Sequence, residues 1–227
     1  MLEELKEKVF RANLRLKDEG LVVLTWGNAS AFDPATKLVV IKPSGVDYAT
    51  MKPEDMVVVD LEGKVVEGRY RPSSDTPTHV VLYRAFPGVG GIVHTHSAEA
   101  TARAQTRREI PCYGTTHADC FHGPVPVTRV LSAGEVAADY EGNTGKVIVE
   151  RFKGLEPLAQ PGVLVAGHGP FTWGKDVMKA VDNAVSLEEI ARMARFTEAI
   201  GAVALEDYVS EKHYSRKHGP GAYYGQK

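Results

Sequence analysis

The sequence has 227 residues, enough for one sizeable domain with a buried core and short for two. Apolar residues make up 43% and charged residues 25%, an ordinary globular balance, and a formal net charge of −2 lacks the basic excess that nucleic acid or an anionic membrane surface attracts. No apolar run approaches a membrane span, residues 1–15 alternate charged and apolar positions unlike a targeting peptide, and Cys112 and Cys120 form neither a disulfide framework nor a close-spaced metal pair, so a reduced, cytoplasmic protein is expected.

Along the chain, Leu2, Leu5, Val9, Ala12 and Leu16 recur at steps of three and four and predict a first helix that stops near Gly20. Residues 37–42 read as a strand. Residues 56–60 and 64–67 flank Gly63 and predict a hairpin. Thr76-Pro77 opens a helix that Pro87-Gly88 ends. Residues 91–95 predict a strand, 98–106 a helix, and 147–150 and 162–166 two more strands. Asp176 is placed to cap a long helix with Val177, Ala180, Val181, Ala184, Leu187 and Ala191 on its apolar face. The tail from His213 onward is aromatic and basic without periodicity. The pattern predicts one domain over residues 1–227, with a mixed sheet covered by helices.

His94-Thr95-His96 is the sharpest local signal. Residues two apart in a strand face one side, about 7 Å apart, so both imidazoles can converge on one metal. A third histidine, His168, sits between two glycines just past the predicted strand 162–166. Three histidines with an open position suit catalytic zinc; manganese, cobalt and iron fit the same donors. A packed, metal-free pair is the plainer reading of His-x-His alone. His117 and His122 are competing ligands, and His79 reads as structural.

Three short segments, Gly27-Asn28, Lys42-Pro43-Ser44-Gly45 and Ser73-Ser74-Asp75, mix small and polar residues. Glycine amides, serine hydroxyls and the helix start at Thr76 suit an anion, and Lys42 adds charge; each segment also reads as an ordinary turn or cap. Asp75 either caps the helix or reaches the metal. Asp119 reads as a surface charge, or as a proton shuttle if it faces a cleft. Gly88-Val89-Gly90-Gly91 precedes a strand, whereas a dinucleotide loop follows one, so redox epimerisation through a nicotinamide is not supported.

Seven blocks, in this order and spacing, carry a resemblance: TWGNAS (25–30), IKPSGVDY (41–48), PSSDTPTH (72–79), GIVHTHS (91–97), GTTHAD (114–119), GHGPFTWG (167–174) and KHYSRKHGPGAYYGQ (212–226). Together they resemble the class II aldolase and L-ribulose-5-phosphate 4-epimerase superfamily, on its epimerase side. The resemblance implies a three-layer α/β/α domain around a mostly antiparallel sheet, assembled as a cyclic homotetramer. It implies a divalent metal, foremost zinc, on His94, His96 and His168 with Asp75 beside it. It implies phosphate contacts at Asn28, Ser44, Gly45, Ser73 and Ser74, with Lys42 beside the substrate. Asp119 and Tyr224 match an acid–base pair, Asp119 from the metal-holding subunit and Tyr224 from its neighbour. His213 and Arg216 match tail residues (about 208–227) that reach an adjacent site. The aldolases resembled here usually carry glutamate where this chain has Asp75. Cys120 and His122 stand where aromatic residues are expected.

The implied reaction interconverts L-ribulose 5-phosphate and D-xylulose 5-phosphate. Carbon 4 is not adjacent to the ketone, so its hydrogen is not acidified by resonance. Opening the bond between carbons 3 and 4 leaves an enediolate whose charge a divalent metal would stabilise. Rotating the aldehyde of the phosphorylated fragment before the bond re-forms inverts carbon 4. The nearest alternative is an aldolase releasing dihydroxyacetone phosphate; a non-catalytic interaction domain is disfavoured because all three histidines remain. Arabinose, ascorbate and other pentose routes are not distinguished.

Overall fold

The structure, a computed structural model, describes residues 2–225. Residues 1 and 227 of the expected domain, and Gln226 of the tail block, lie outside the described residues. The strands are β1 (Asn28–Asp33), β2 (Leu38–Ile41), β3 (Val57–Val59), β4 (Val65–Glu67), β5 (Gly91–His94), β6 (Gly162–Leu164) and β7 (Pro170–Gly174). The helices are α1 (Glu3–Asp18), α2 (Thr76–Ala85), α3 (Ala98–Gln105), α4 (Thr115–Ala118), α5 (Ala133–Arg151), α6 (Val177–Ile200) and α7 (Asp207–His218). One sheet runs in the order β4-β3-β2-β1-β5-β7-β6, and each of its ladders is antiparallel. Among the described residues a parallel pairing occurs only as an isolated bridge, Val127 with Leu164.

Side-chain alternation along the strands produces the three expected layers. Ala29, Ala31, Val40, Val58 and Val93 point to one face and pack on Val9, Ala12 and Leu16 of α1 and Val177, Ala180 and Val181 of α6. Val39, Ile41, Val57, Val59, Ile92, Phe171 and Trp173 point to the other and pack on Leu82 and Tyr83 of α2 and Ile148 of α5. Asp176 caps α6, its carboxylate accepting from the Lys179 amide at 2.8 Å. Two buried bonds tie α6 to β7: Thr172 Oγ1 donates to the Ala180 carbonyl at 3.0 Å, and Asn183 Nδ2 to the Trp173 carbonyl at 2.7 Å.

The strand predicted over 147–150 is instead the last part of α5. Ser132 and Glu135 form a reciprocal capping box, and Thr144, Val147 and Ile148 are buried at helical spacing. Packing against α2 overrides the β-branched preference of Val147-Ile148-Val149. The tail lacks an apolar stripe, as read, yet its start from His213 lies in α7, which docks on α4. The short strands β1 and β7 were not predicted; β1 is built from small residues, NASAFD, too weakly apolar to signal a strand. Among the described residues no helix is long and apolar enough to cross a membrane.

Gly91 is required where β5 meets α6. A Cβ there would stand 2.3 Å from the Val177 Cα, which is backbone and cannot turn aside. Gly91→Ala should destabilise the fold by about 1–3 kcal/mol, in the range of overpacked cores. Calorimetric unfolding checks this; an unchanged Tm would count against such tight strand–helix contact.

Candidate metal centre and anion pocket

Antiparallel register brings four chain segments to one end of the sheet. Asn28 pairs with His94 and His94 with Phe171, so the start of β1, the end of β5 and the start of β7 coincide. Ser30 pairs with Ile41, which puts Lys42, just past β2, at the same end. A cleft of about 380 Å³ opens there. Thr25, Trp26, Gly27, Asn28, Lys42, Pro43, Ser44, Gly45, Ser73, Ser74, Asp75, His96, Tyr140, Glu141 and His168 line it.

His94, His96 and His168 meet at this cleft, with one ligating atom of each within 4.8 Å of the others. His94 is buried, stacked on Phe171 at 4.2 Å, and its Nδ1 lies 2.9 Å from the Pro170 carbonyl. That carbonyl can only accept, so Nδ1 carries the proton and Nε2 keeps a lone pair turned toward His96, whose Nε2 is 3.1 Å away. His96 lies just past the strand end, and His168 tops the turn between β6 and β7, where Gly167 holds φ +75°. Burial, then repulsion from His94 and His96, pushes His168 down to about 4, with Asp75 acting in the opposite direction. Burial also lowers His96. With His96 and His168 held neutral and the His94 Nε2 lone pair turned toward His96, the cluster fits a divalent cation of borderline softness.

Asp75 does not cap α2 with its side chain. Its Oδ2 accepts from Asn28 Nδ2 at 2.7 Å, which turns the carboxylate into the cleft. Burial acts to raise its pKa, but His94, His79, the Asn28 amide and His168 outweigh it and the net shift is down. Asn28 Nδ2 also reaches Ser73 Oγ at 3.0 Å. The Ser73 amide donates to the Lys42 carbonyl at 2.9 Å, and that bond joins the two serine segments side by side. Ser44, Gly45 and Ser74 are exposed on the cleft wall. Lys42 is buried, its ammonium 3.2–3.4 Å from the carbonyls of Val46, Thr25 and Pro43 and 4.7 Å from the Tyr48 ring centre. It is therefore a fixed positive charge in the wall. Burial pushes it down to about 8, opposed by Asp47.

The expected acid–base residues are not in this cleft within one chain. Asp119 follows α4 and is claimed by the chain's own tail. Arg216 grips it with two bonds of 3.1 and 2.7 Å, His213 Nδ1 lies at 3.1 Å and Lys217 Nζ at 3.3 Å. Burial acts to raise the Asp119 pKa, but the bonds from Arg216, His213 and Lys217 win and hold it down. Tyr224 donates its backbone amide to the Arg216 carbonyl at 3.2 Å, and its ring lies 5.1 Å from the Arg216 guanidinium and 4.3 Å from the Lys217 ammonium. Asp119, His213, Arg216 and Tyr224 thus form one unit, apart from the histidine cleft.

The competing histidines are occupied elsewhere. His117 Nε2 donates to the Gly123 carbonyl at 2.8 Å, and His122 pairs with Glu211 at 2.8 Å. Sequence reading missed Trp26, Tyr140 and Glu141. The Tyr140 hydroxyl is 3.3 Å from His168 Nδ1 and the Trp26 ring 6.3 Å from that of His96. Tyr140 and Glu141 enter the cleft because α5 breaks at Asp139, whose backbone is extended and whose carboxylate caps Gly142 at 3.1 Å.

The sequence pattern described as the class II aldolase and adducin N-terminal domain matches residues 7–195. The L-ribulose-5-phosphate 4-epimerase UlaF of Salmonella paratyphi A is 59% identical over 228 residues, spanning 100% of both chains, and its namesake from Salmonella typhi matches equally. Among solved structures, an L-fuculose 1-phosphate aldolase superposes with a TM-score of 0.80 at 27% identity, covering 94% of this chain and 95% of its own. A match over most of its length, on the fold and around the histidine cleft just described, places this chain in the class II aldolase and adducin N-terminal domain family.

Proposed function

We propose that this chain is an L-ribulose-5-phosphate 4-epimerase that inverts carbon 4 by opening and re-forming the bond between carbons 3 and 4. The observation that carries the reading is the convergence of a three-imidazole cluster and a serine–glycine anion pocket in one cleft. The full-length 59% identity to proteins of that name supplies the substrate. An L-fuculose 1-phosphate aldolase shares the fold at 27% identity, and the product separates the two: an aldolase releases its aldehyde, an epimerase retains it.

His94, His96 and His168 would hold the metal, foremost zinc, with Asp75 beside them. A bound divalent cation supplies Lewis-acid stabilisation of the charge that develops on the ketone fragment. Ser44, Gly45, Ser73, Ser74 and Asn28 face the phosphate, and the buried Lys42 charge lies behind them. Holding the phosphate while its aldehyde turns keeps the fragment from leaving. Cleavage takes a proton from the carbon 4 hydroxyl, and re-addition on the opposite face returns one. Two proton-transfer groups on opposite sides are needed, and Asp119 and Tyr224 are assigned to them. They reach the cleft from a neighbouring copy in a closed ring of four, carried with His213 and Arg216. The contacts of Asp119 with its own tail support moving it together with Tyr224, rather than leaving it with the metal-holding subunit.

Metal-loaded protein should convert L-ribulose 5-phosphate to D-xylulose 5-phosphate without releasing an aldehyde. His96→Asn should lower bound metal and turnover together, on the order of 100-fold or more in kcat. Full metal occupancy and turnover in that variant would remove the histidine assignment.

The Lys42 shift gives a pH dependence with a definite sign. A group lowered to about 8 is charged below that value and loses its charge above it. A bound phosphate dianion favours the ammonium, so KM for the sugar phosphate should rise as pH passes through about 8. Lys42→Met should raise KM about tenfold, equivalent to ~1.4 kcal/mol, and flatten this rise. A rise of unchanged size in the methionine variant would assign it to another group.

Subunit sharing is tested by complementation. His96→Asn and Tyr224→Phe chains, refolded as a mixture, should regain roughly a quarter of the sites in a randomly mixed ring. Asp119→Asn should complement His96→Asn and fail to complement Tyr224→Phe. Recovery in the second pairing would return Asp119 to the metal-holding subunit. No recovery in any confirmed mixed ring would overturn sharing altogether.

A further inference from the structure

Tyr140 lines the cleft and has no part in the reaction proposed above. Its hydroxyl lies 3.3 Å from His168 Nδ1, and among the described residues it is the one hydrogen-bond partner of the His168 ring. The two rings stand 6.0 Å apart, tilted by 30°. The backbone of the His168 turn is tied down: the His168 amide donates to the Val165 carbonyl at 3.0 Å, and the Gly167 amide to the Ala104 carbonyl at 3.0 Å. Those bonds fix where the side chain starts, not how the imidazole turns about its own single bonds. A hydroxyl held at one ring nitrogen fixes the turn.

The break in α5 is built to deliver that hydroxyl. Asp139 leaves the helix in an extended conformation, and its carboxylate accepts from the Gly142 amide at 3.1 Å, which caps the helix where it restarts. Gly142 leaves room for this cap, since a Cβ there would stand 2.0 Å from Asp139 Oδ2. Asn143 Nδ2 reaches back across the break to the Glu135 carbonyl at 2.8 Å. Thr144 Oγ1 donates to the Tyr140 carbonyl at 2.9 Å, and the buried Thr78 of α2 donates to the Glu141 carbonyl at 2.7 Å. The backbone of Tyr140 is therefore fixed from both sides, although its ring stands at the cleft surface.

His94 shows what such a partner does. Its Nδ1 is bound to the Pro170 carbonyl, and its Nε2 is left facing the cluster. His168 divides its nitrogens in the same way, with Nδ1 at Tyr140 and Nε2 left over. A neutral imidazole that gives one lone pair to a cation carries its proton on the other nitrogen. With a cation on Nε2, Nδ1–H donates and the Tyr140 oxygen accepts.

We infer that Tyr140 is a positioning residue of the metal pocket: its hydroxyl oxygen accepts from His168 Nδ1 and holds that imidazole with Nε2 toward His94 and His96. The inference rests on the three histidines holding a metal, as proposed above.

Two experiments test it. Zinc affinity of the full chain, measured by competition with a chromophoric chelator, needs no sugar phosphate. Tyr140→Phe should weaken it about tenfold. Thermal unfolding of the metal-free protein should not change, because the ring is kept; a lowered Tm would mark the loss as structural and count against the inference. In a His168→Ala background the same change should cost less than about twofold, since its effect passes through that imidazole. An unchanged affinity in Tyr140→Phe, or an equal loss in both backgrounds, would overturn the inference. Nitrogen-15 NMR of the zinc-loaded protein with labelled histidine is the second readout. His168, identified by loss of its signals in His168→Ala, should show a proton-bearing Nδ1 and a metal-bound Nε2, and the Nδ1 signal should move in Tyr140→Phe. A metal-bound Nδ1 would overturn the inference and leave the metal site in place. A parent chain that binds no zinc would instead remove the metal assignment on which the inference rests. If His168→Ala binds zinc too weakly to measure, the nitrogen signals decide.

Discussion

The site depends on one register. Asn28 opposite His94, and His94 opposite Phe171, align three strand ends that lie far apart in sequence. A slip by one residue in β5 would turn His94 toward α1 and α6 and bring Val93 to the helix face now held by Ile92. The register is fixed because both faces of the sheet are buried, so each residue is specified by the layer it enters. Ser30 shows how strictly this holds. Its neighbours Ala29 and Ala31 pack on one layer, while its hydroxyl serves His79 and Tyr83 on the other.

Around this frame the chain buries several ionisable groups together, which is costly unless each is neutral or paired. His168 and His79 are kept neutral by burial. Lys42 stays in the wall by pointing at three carbonyls and lying over Tyr48. Asp75 is paired through the Asn28 amide, which donates to its carboxylate. Groups held this way need little rearrangement when a cation or an anion arrives, and preorganisation of that kind is what a site handling developing charge requires.

Much of this was legible in the sequence, and the part that was not has physical causes. His94 and His96 stood out because a two-residue strand spacing is a geometric statement. The small polar turns stood out because they combine glycine or serine with polar residues, and Ser73-Ser74 because they lie just before the helix start at Thr76. Tyr140 and Glu141 did not, since their entry depends on a break at Asp139 inside a glycine-rich helix, and periodicity does not report a kink. The 147–150 segment misled because β-branched residues favour strands until a facing helix buries them. The direction of the Asp75 side chain was open between the helix start and the metal; its turn into the cleft rests on the Asn28 amide, a contact 47 residues away in sequence. For the tail, composition gave aromatic and basic character but no hint that Arg216 would fold back on Asp119.

Charge gives a reason for the proposed sharing of the cleft between copies. Its wall carries two carboxylates, Asp75 and Glu141, against one buried ammonium, Lys42. A sugar phosphate brings a charge near −2 at neutral pH. Carboxylates on the wall repel such a ligand, so the cleft needs positive charge from outside its own side chains. A divalent cation on the imidazoles is one source. The tail unit is the other, because Arg216 and Lys217 together exceed the single charge of Asp119 and leave a surplus beside Tyr224. In the proposed ring, placing that surplus across from a neighbour's cleft would bring the assigned acid–base pair and counter-charge in one step. The grip of the tail on Asp119 fits that proposal: an isolated carboxylate there would add repulsion, whereas one bound to Arg216 would arrive as part of a net cationic surface.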